Sequence, residues 1–300
     1  MADTITVQDL VKRYGDLSAV DGVSFTVGQG EFFGILGPNG AGKTTCLEIV
    51  EGLREPDSGT VTVLGEKPWP RNTRLLPRIG VQLQASSFFE RLTAREQLET
   101  FAAIYGVGPS RVDEMLELVA LTDKAKVQTE KLSGGQAQRL SIACALIHDP
   151  EVVFLDEPSA ALDPQARRNL WDVLREINAR GKTIVLTTHY MDEAEILCDR
   201  VAIMDRGKIL EMGAPADLVR ALDRPVVISV ESRDLPEDTA TGLPGVDAVV
   251  STGGWTEITT TAPAVVLPAL AERGALTGLQ VKGSTLEDVF LDLTGREYRA

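Results

Sequence analysis

The chain has 300 residues, 43% of them hydrophobic and 25% charged, and a formal charge of −14. This is an ordinary globular composition, long enough for two unequal domains. The acidic balance argues against a protein that tracks a nucleic-acid backbone, which takes Lys and Arg to displace counterions.

No apolar run approaches the roughly 20 residues that span a bilayer; the longest, Leu140 to Leu155, is broken by His148, Asp149, Pro150 and Glu151. Met1–Thr4 shows no basic stretch leading into an apolar one, so no secretory signal is expected. Cys46, Cys144 and Cys198 are scattered, which speaks against a disulfide framework or a zinc site and fits a reducing compartment.

In chain order, strands are predicted at Thr4–Leu10, Ser24–Val27 and Glu31–Leu36, then a helix over Thr44–Glu51 and a strand over Gly59–Leu64. Thr93 to Leu121 reads as a helical insert, with Leu98, Phe101, Ala102 and Tyr105 at helical spacing. Alternation resumes with Val152–Leu155, Gln165–Ala179, Thr183–Thr187 and Met191–Leu197, and Val201–Met204 and Lys208–Glu211 read as a closing pair. Composition shifts near Asp223-Arg224-Pro225. Beyond it come Val/Thr-rich strands (Val226–Glu231, Ala248–Thr252, Glu257–Thr261), a helix over Ala264–Glu272 and an amphipathic helix, Leu286–Leu293. The expected fold is α/β throughout, with a main domain over 1–222, its helical insert at about 88–150, and a small α/β domain over 225–300. Residues 225–300 hold 5 basic and 11 acidic side chains, so no basic module hides there.

Gly37-Pro38-Asn39-Gly40-Ala41-Gly42-Lys43-Thr44 matches GxxxxGK[ST] between an apolar strand and a helix start. Backbone N–H groups of such a turn wrap an anion, and the helix dipole adds to the attraction. Lys43 reaches β- and γ-phosphates and the Thr44 hydroxyl coordinates Mg²⁺. A chance match in a chain of this length has odds of about one in a hundred. Val152–Glu157 is an apolar strand ending in two carboxylates, Asp156 suited to Mg²⁺ and Glu157 to the attacking water. His189 follows another apolar strand, where an imidazole can meet a γ-phosphate, although a plain helix-start residue would look the same. His148, beside Asp149-Pro150, has no assigned role. Leu132-Ser133-Gly134-Gly135-Gln136, directly before a helix, is a second anion cradle. One nucleotide does not require two cradles on one chain, so the site is expected to be composite.

Together these motifs resemble, over about residues 4–220, the ATP-binding-cassette (ABC) ATPases. The resemblance implies a P-loop core with an antiparallel β subdomain and a helical insert, hydrolysing ATP with Mg²⁺. It makes Gly37–Thr45 the Walker A loop, including Thr45, and Val152–Asp156 the Walker B strand with Glu157 as catalytic carboxylate. Tyr14 falls where the family stacks an aromatic ring on adenine. Gln84 in Ile79–Gln84 becomes the Q-loop glutamine, catalytic and Mg²⁺-directed, with Gln82 as the fallback. Ser133, Gly134, Gly135 and Gln136 become the signature loop, Ala160–Asp163 the D-loop with Asp163 near nucleotide, and His189 the switch histidine. Ala160 departs from the Ser that commonly opens the D-loop.

The resemblance also implies a head-to-tail dimer, in which Ser133 and Gly135 of one copy close on nucleotide held by the other. The tail Ser284–Gly295 is similar to that of multidrug-exporter ATPases of the daunorubicin-resistance group. That implies a separately encoded transmembrane permease and a place at the cytoplasmic face of the membrane. The alternatives are a soluble ABC ATPase acting on nucleic acid or ribosomes, for which a long coiled coil or paired cassettes would be usual, and a nucleotide-binding regulator without turnover.

Overall fold

The computed structural model describes residues 3–83, 88–89 and 91–295, and it divides after Pro215 into two compact units. The first unit begins with β1 (Asp3–Tyr14), β2 (Leu17–Gly28), β3 (Phe32–Leu36), α1 (Lys43–Val50), β4 (Ser58–Val63) and β5 (Ile79–Gln82). Three helices follow, α2 (Ala94–Tyr105), α3 (Pro109–Leu118) and α4 (Gly134–Leu146). The unit closes with β6 (Val152–Asp156), α5 (Pro164–Ala179), β7 (Thr183–Thr188), α6 (Met191–Leu197), β8 (Arg200–Asp205) and β9 (Lys208–Gly213).

The fold is a mixed α/β cassette with an antiparallel β subdomain and a helical insert. The small sheet runs β2-β1-β4, and the main sheet β5-β6-β7-β3-β8-β9. Strands of the main sheet are parallel except β9, which returns antiparallel along β8. β3, β6 and β7 are buried at every position, which is why each reads as an unbroken apolar or Thr-rich run rather than an alternation. Their register sets the site: Leu36 ends level with Thr188, and Asp156 lies beside Thr187. The C-terminal strand ends, where such sheets bind ligands, therefore carry the glycine loop, the paired carboxylates and His189 together. Beneath them α1 buries Cys46, Leu47, Ile49 and Val50, and Phe25 stacks on Phe33 with centroids 5.2 Å apart.

Several elements differ from the sequence expectation for physical reasons. β1 continues beyond Leu10 to Tyr14 because a bulge with Asp9 at φ 48° shifts the register between Val7 and Leu10 and hides the continued alternation. β5, with only two large apolar residues in its four positions, carries no strand signal of its own and forms by pairing with β6. In α2, opened by a Thr93–Glu96 capping box and closed by Gly106 at φ 68°, the buried face is Ala94, Gln97, Leu98 and Ala102. Tyr105, expected on the apolar stripe, is 41% exposed and stacks on His148 at 3.9 Å.

The second unit starts at Ala216, earlier than the composition shift, so most of α7 (Pro215–Ala221) groups with it. It contains β10 (Val226–Glu231), α8 (Glu237–Thr241), β11 (Ala248–Thr252), β12 (Trp255–Thr260), α9 (Pro263–Glu272), β13 (Gln280–Lys282) and α10 (Leu286–Thr294). Its sheet, β11-β12-β10-β13, is antiparallel and faces a core of residues such as Ile228, Val230, Ile258, Val266 and Leu270. α7, α8 and β13 are too short to leave a periodic signal. α10 buries Leu286, Val289 and Phe290, as expected, but Leu293 at its last turn is 38% exposed.

Candidate functional site

Gly42 caps α1 at φ 103°, and Gly40 takes φ 79°. A Cβ on Gly42 would sit 2.0 Å from the Ala19 carbonyl oxygen, and one on Gly37 would sit 2.1 Å from that of Met204. The glycines therefore let the loop press against β2 and β8, and Gly40, with no atom within 4 Å of such a Cβ, faces open space. Lys43 is folded back into this loop, 4% exposed. Its Nζ donates to the carbonyls of Gly37 at 2.9 Å and Pro38 at 3.2 Å and pairs with Glu157 Oε1 at 3.1 Å.

Asp156 and Glu157 play different parts. Asp156 Oδ1 accepts from the Thr44 hydroxyl at 3.1 Å and from the Thr187 hydroxyl. Burial holds its carboxyl above the usual aspartate range, against the two hydroxyl bonds, which pull the other way. Glu157 stands at φ 47°, a strained left-handed conformation for a non-glycine residue. Its N–H secures this by donating to both the carbonyl and the hydroxyl of Thr187, at 3.1 and 3.0 Å. Its second oxygen, Oε2, meets His189 Nδ1 at 3.1 Å. A buried ammonium, a carboxylate and an imidazole thus stand in line at the strand ends.

The loop borders an open cleft of about 620 Å³, lined by Tyr14, Asn39, Gly40, Gly42, Lys43, Thr44, Thr45 and Glu157 among the expected residues. Gly37 and Pro38 lend their carbonyls to Lys43, and Ala41 is buried behind the loop. Tyr14 is 42% exposed, with Arg54 and Lys12 at 5.5 and 5.9 Å from its ring centroid. Ser133, Gly134, Gly135, Gln136 and Asp163 do not line this cleft. Ser133 caps α4 in a reciprocal box with Gln136, and Gly134 is exposed. Asp163 caps α5, accepting from the N–H groups of Gln165 and Ala166. Gln84 lies outside the described residues. The fallback Gln82 is 2% exposed at the end of β5, and its Oε1 has no hydrogen-bond partner among the described residues. His148 is structural: its Nε2 meets the Ile79 carbonyl at 2.9 Å.

Leu17, Ser18, Ala19 and Arg206 also line the cleft. They give no sequence signal, because only the topology brings them there. β8 runs beside β3, so its Asp205-Arg206-Gly207 turn lands on the loop, with Gly207 N–H donating to the Ala41 carbonyl at 2.8 Å. Thr187, which binds both Asp156 and Glu157, was signalled only as the end of a strand.

A family model described as ABC transporter matches residues 20–160. The Nod factor export ATP-binding protein I of Sinorhizobium fredii is 42% identical over 300 residues, covering 98% of this chain and 87% of the relative. The chain belongs to the ABC transporter ATP-binding proteins. Two solved cassettes share its fold. One is cbiO1 from Clostridium perfringens, part of the ABC transporter complex cbiONQ (28% identity, TM-score 0.66, covering 74% of this chain and 95% of that one). The other is a dimeric ATP-binding cassette in a post-hydrolysis state bound to ADP and Pi (28% identity, TM-score 0.63, 70% and 98%). This chain is the ATP-binding subunit of an ABC transporter and an ATPase.

Glu51 is a buried acid of the cassette outside the motifs. At the end of α1, it is 4% exposed and its Oε1 has no hydrogen-bond partner among the described residues. Burial, with added repulsion from Asp156 and Glu48, pushes its carboxyl from 4.5 up to about 9. The folded chain therefore keeps a proton that the unfolded chain releases above pH 4.5, and stability falls as pH rises from 4.5 toward about 9. One such group contributes a slope of up to ~1.4 kcal/mol per pH unit. Glu51→Gln is expected to remove this slope, so its gain in melting temperature over wild type should be larger at pH 8 than at pH 5. Parallel melting curves at the two values would contradict the assignment.

Proposed function

We propose that this ATPase drives an exporter of drugs, lipids or other hydrophobic compounds as a head-to-tail dimer coupled to a separately encoded membrane permease. The observation that carries the reading is the separation of two anion cradles. The cleft holds the Walker A loop and Glu157, while Ser133–Gln136 open α4 outside it. A second copy resolves this by bringing its own signature loop onto the bound nucleotide. The exposed signature loop and the dimeric relative support the same arrangement.

The residues fit ATP and Mg²⁺. The loop N–H groups and Lys43 suit a triphosphate, Thr44 and Asp156 offer adjacent hard oxygens for Mg²⁺, and Tyr14 and Arg206 border the open side. ATP supplies the scissile γ-phosphoryl group, and Mg²⁺ neutralises its charge. Lys43 leaves its carbonyl partners for the phosphates, which frees Glu157 Oε1 to take a proton from the attacking water. His189 holds Oε2 of the same carboxylate. By the resemblance, Gln84 would serve the Mg²⁺ side and Asp163 the D-loop, and the chain would comprise a cassette over 1–222 followed by an accessory module over 225–300.

Among the described residues no helix is long and apolar enough to cross a membrane. Attachment at the cytoplasmic face would then run through the permease. A cavity of about 360 Å³ between β5 and the helical insert, lined by Leu53, Leu76, Val81, Phe88, Phe101 and Tyr105, suits a cytoplasmic helix of that partner. The export direction is supported by the export relatives and by the resemblance of the tail to the daunorubicin-resistance group. The test is gentle solubilisation of native membranes and capture of the full chain. A polytopic membrane protein is expected to co-purify, and recovery of the chain from intact membranes without one would count against the reading.

A further inference from the structure

His189 has a second neighbour besides Glu157. Its ring packs on Tyr190, with centroids 4.1 Å apart and planes inclined by 39°. The same Tyr190 ring receives the Arg167 guanidinium, 3.8 Å from its centroid. At that distance the cation lies over the ring, since approach at the rim would hold it about 5 Å away or more. Arg167 reaches Asp192 only at 3.7 Å, and its Nε is buried without a hydrogen-bond partner among the described residues. The ring is thus a direct partner of this cation, beside the loose ion pair to Asp192.

Arg167 is itself well anchored. It sits in the first turn of α5, which Asp163 caps through Gln165 and Ala166. Gly135 packs on the same turn, where a Cβ would stand 2.8 Å from the Ala166 Cβ. Tyr190 lies outside the lining of the nucleotide cleft.

We propose that Tyr190 is a positioning residue for hydrolysis: held by Arg167, its ring fixes the His189 imidazole against Glu157. This rests on the role given above to His189. Loss of the ring would remove one of the contacts that set the plane of the imidazole against Oε2, and misplacement of a reacting assembly by an ångström costs up to about a hundredfold in rate. Nucleotide binding, which uses other residues, stays intact.

The test is steady-state ATP hydrolysis by the full chain carrying Tyr190→Ala, Tyr190→Phe, Arg167→Leu or His189→Ala, with thermal melts alongside. Tyr190→Ala is expected to lower kcat about tenfold or more with KM for ATP unchanged within about twofold, and Tyr190→Phe to restore nearly full turnover. Arg167→Leu is expected to lower kcat about threefold and to add nothing to Tyr190→Ala. Wild-type kcat in a folded Tyr190→Ala variant, or equal losses in the Ala and Phe variants, overturns the proposal. If Tyr190→Ala does not fold, unchanged kcat in Arg167→Leu overturns it instead. Wild-type turnover in His189→Ala removes the role of His189 itself, a different failure.

Discussion

Replacing Glu157 with Gln is expected to leave ATP bound while turnover falls by about 10²- to 10⁴-fold, the range a positioned general base contributes. Gln keeps the size of the side chain but cannot take a proton from water. It also removes the negative charge that pairs with Lys43 at 3.1 Å, so the ammonium meets the phosphates without competition and nucleotide affinity should hold or rise. The backbone is not the reason for the loss. The φ of 47° at this position is secured by the N–H bonds to Thr187, which an amide side chain leaves in place. Equilibrium nucleotide binding beside single-turnover hydrolysis separates the two effects. Unchanged hydrolysis would refute the role.

Lys43→Ala should act at the opposite step. The ammonium is wrapped by the loop, held by two carbonyls and by Glu157. Its loss should weaken ATP binding by about a hundredfold or more, as for a buried charge-assisted contact worth several kcal/mol. It also leaves Oε1 of Glu157, a side chain 8% exposed, without the Lys43 ammonium while His189 still meets Oε2, and breaking a buried ion pair from one side costs up to about 3–5 kcal/mol. Lys43→Ala should therefore melt at lower temperature even without nucleotide. Adding Glu157→Gln should recover part of that loss. A double variant melting no higher than Lys43→Ala would place the destabilisation in the emptied volume instead.

The motifs were legible because their chemistry is local. Gly40, Gly42, Lys43 and Thr44 are neighbours in sequence, as are Asp156 and Glu157, and Ser133 and Gln136 close a cap within one turn. The strands that carry them, buried on both faces, announce themselves as apolar runs. What sequence could not supply is anything decided by which strands are adjacent. Arg206 joins the cleft because β8 pairs with β3, and Thr187 binds Asp156 because β7 pairs with β6. Arg167 and Tyr190 meet across two helices with no pattern linking them. Glu51 is the sharper case: an acid at a helix end reads as solvated, and only the fold buries it. Short elements such as β5 and β13 exist through their neighbours alone.

In the proposed dimer, one active site takes its Walker A loop from one copy and its signature loop from the other. Two variants isolate the halves. Lys43→Ala weakens nucleotide binding at its own Walker A loop but keeps Ser133–Gln136. Gly134→Asp keeps the Walker A loop and blocks the signature side. Gly134 is exposed, and a Cβ placed there meets no atom within 4 Å beyond its own chain neighbours and helix backbone, so the new side chain has room in its own chain while its carboxylate repels a partner's triphosphate. Each variant alone should be inactive. Mixed dimers would hold one complete site, so a mixture should regain activity, up to about a quarter of wild type for random pairing of two-fold dimers. A mixture no more active than its two components, at any ratio, would contradict the composite site.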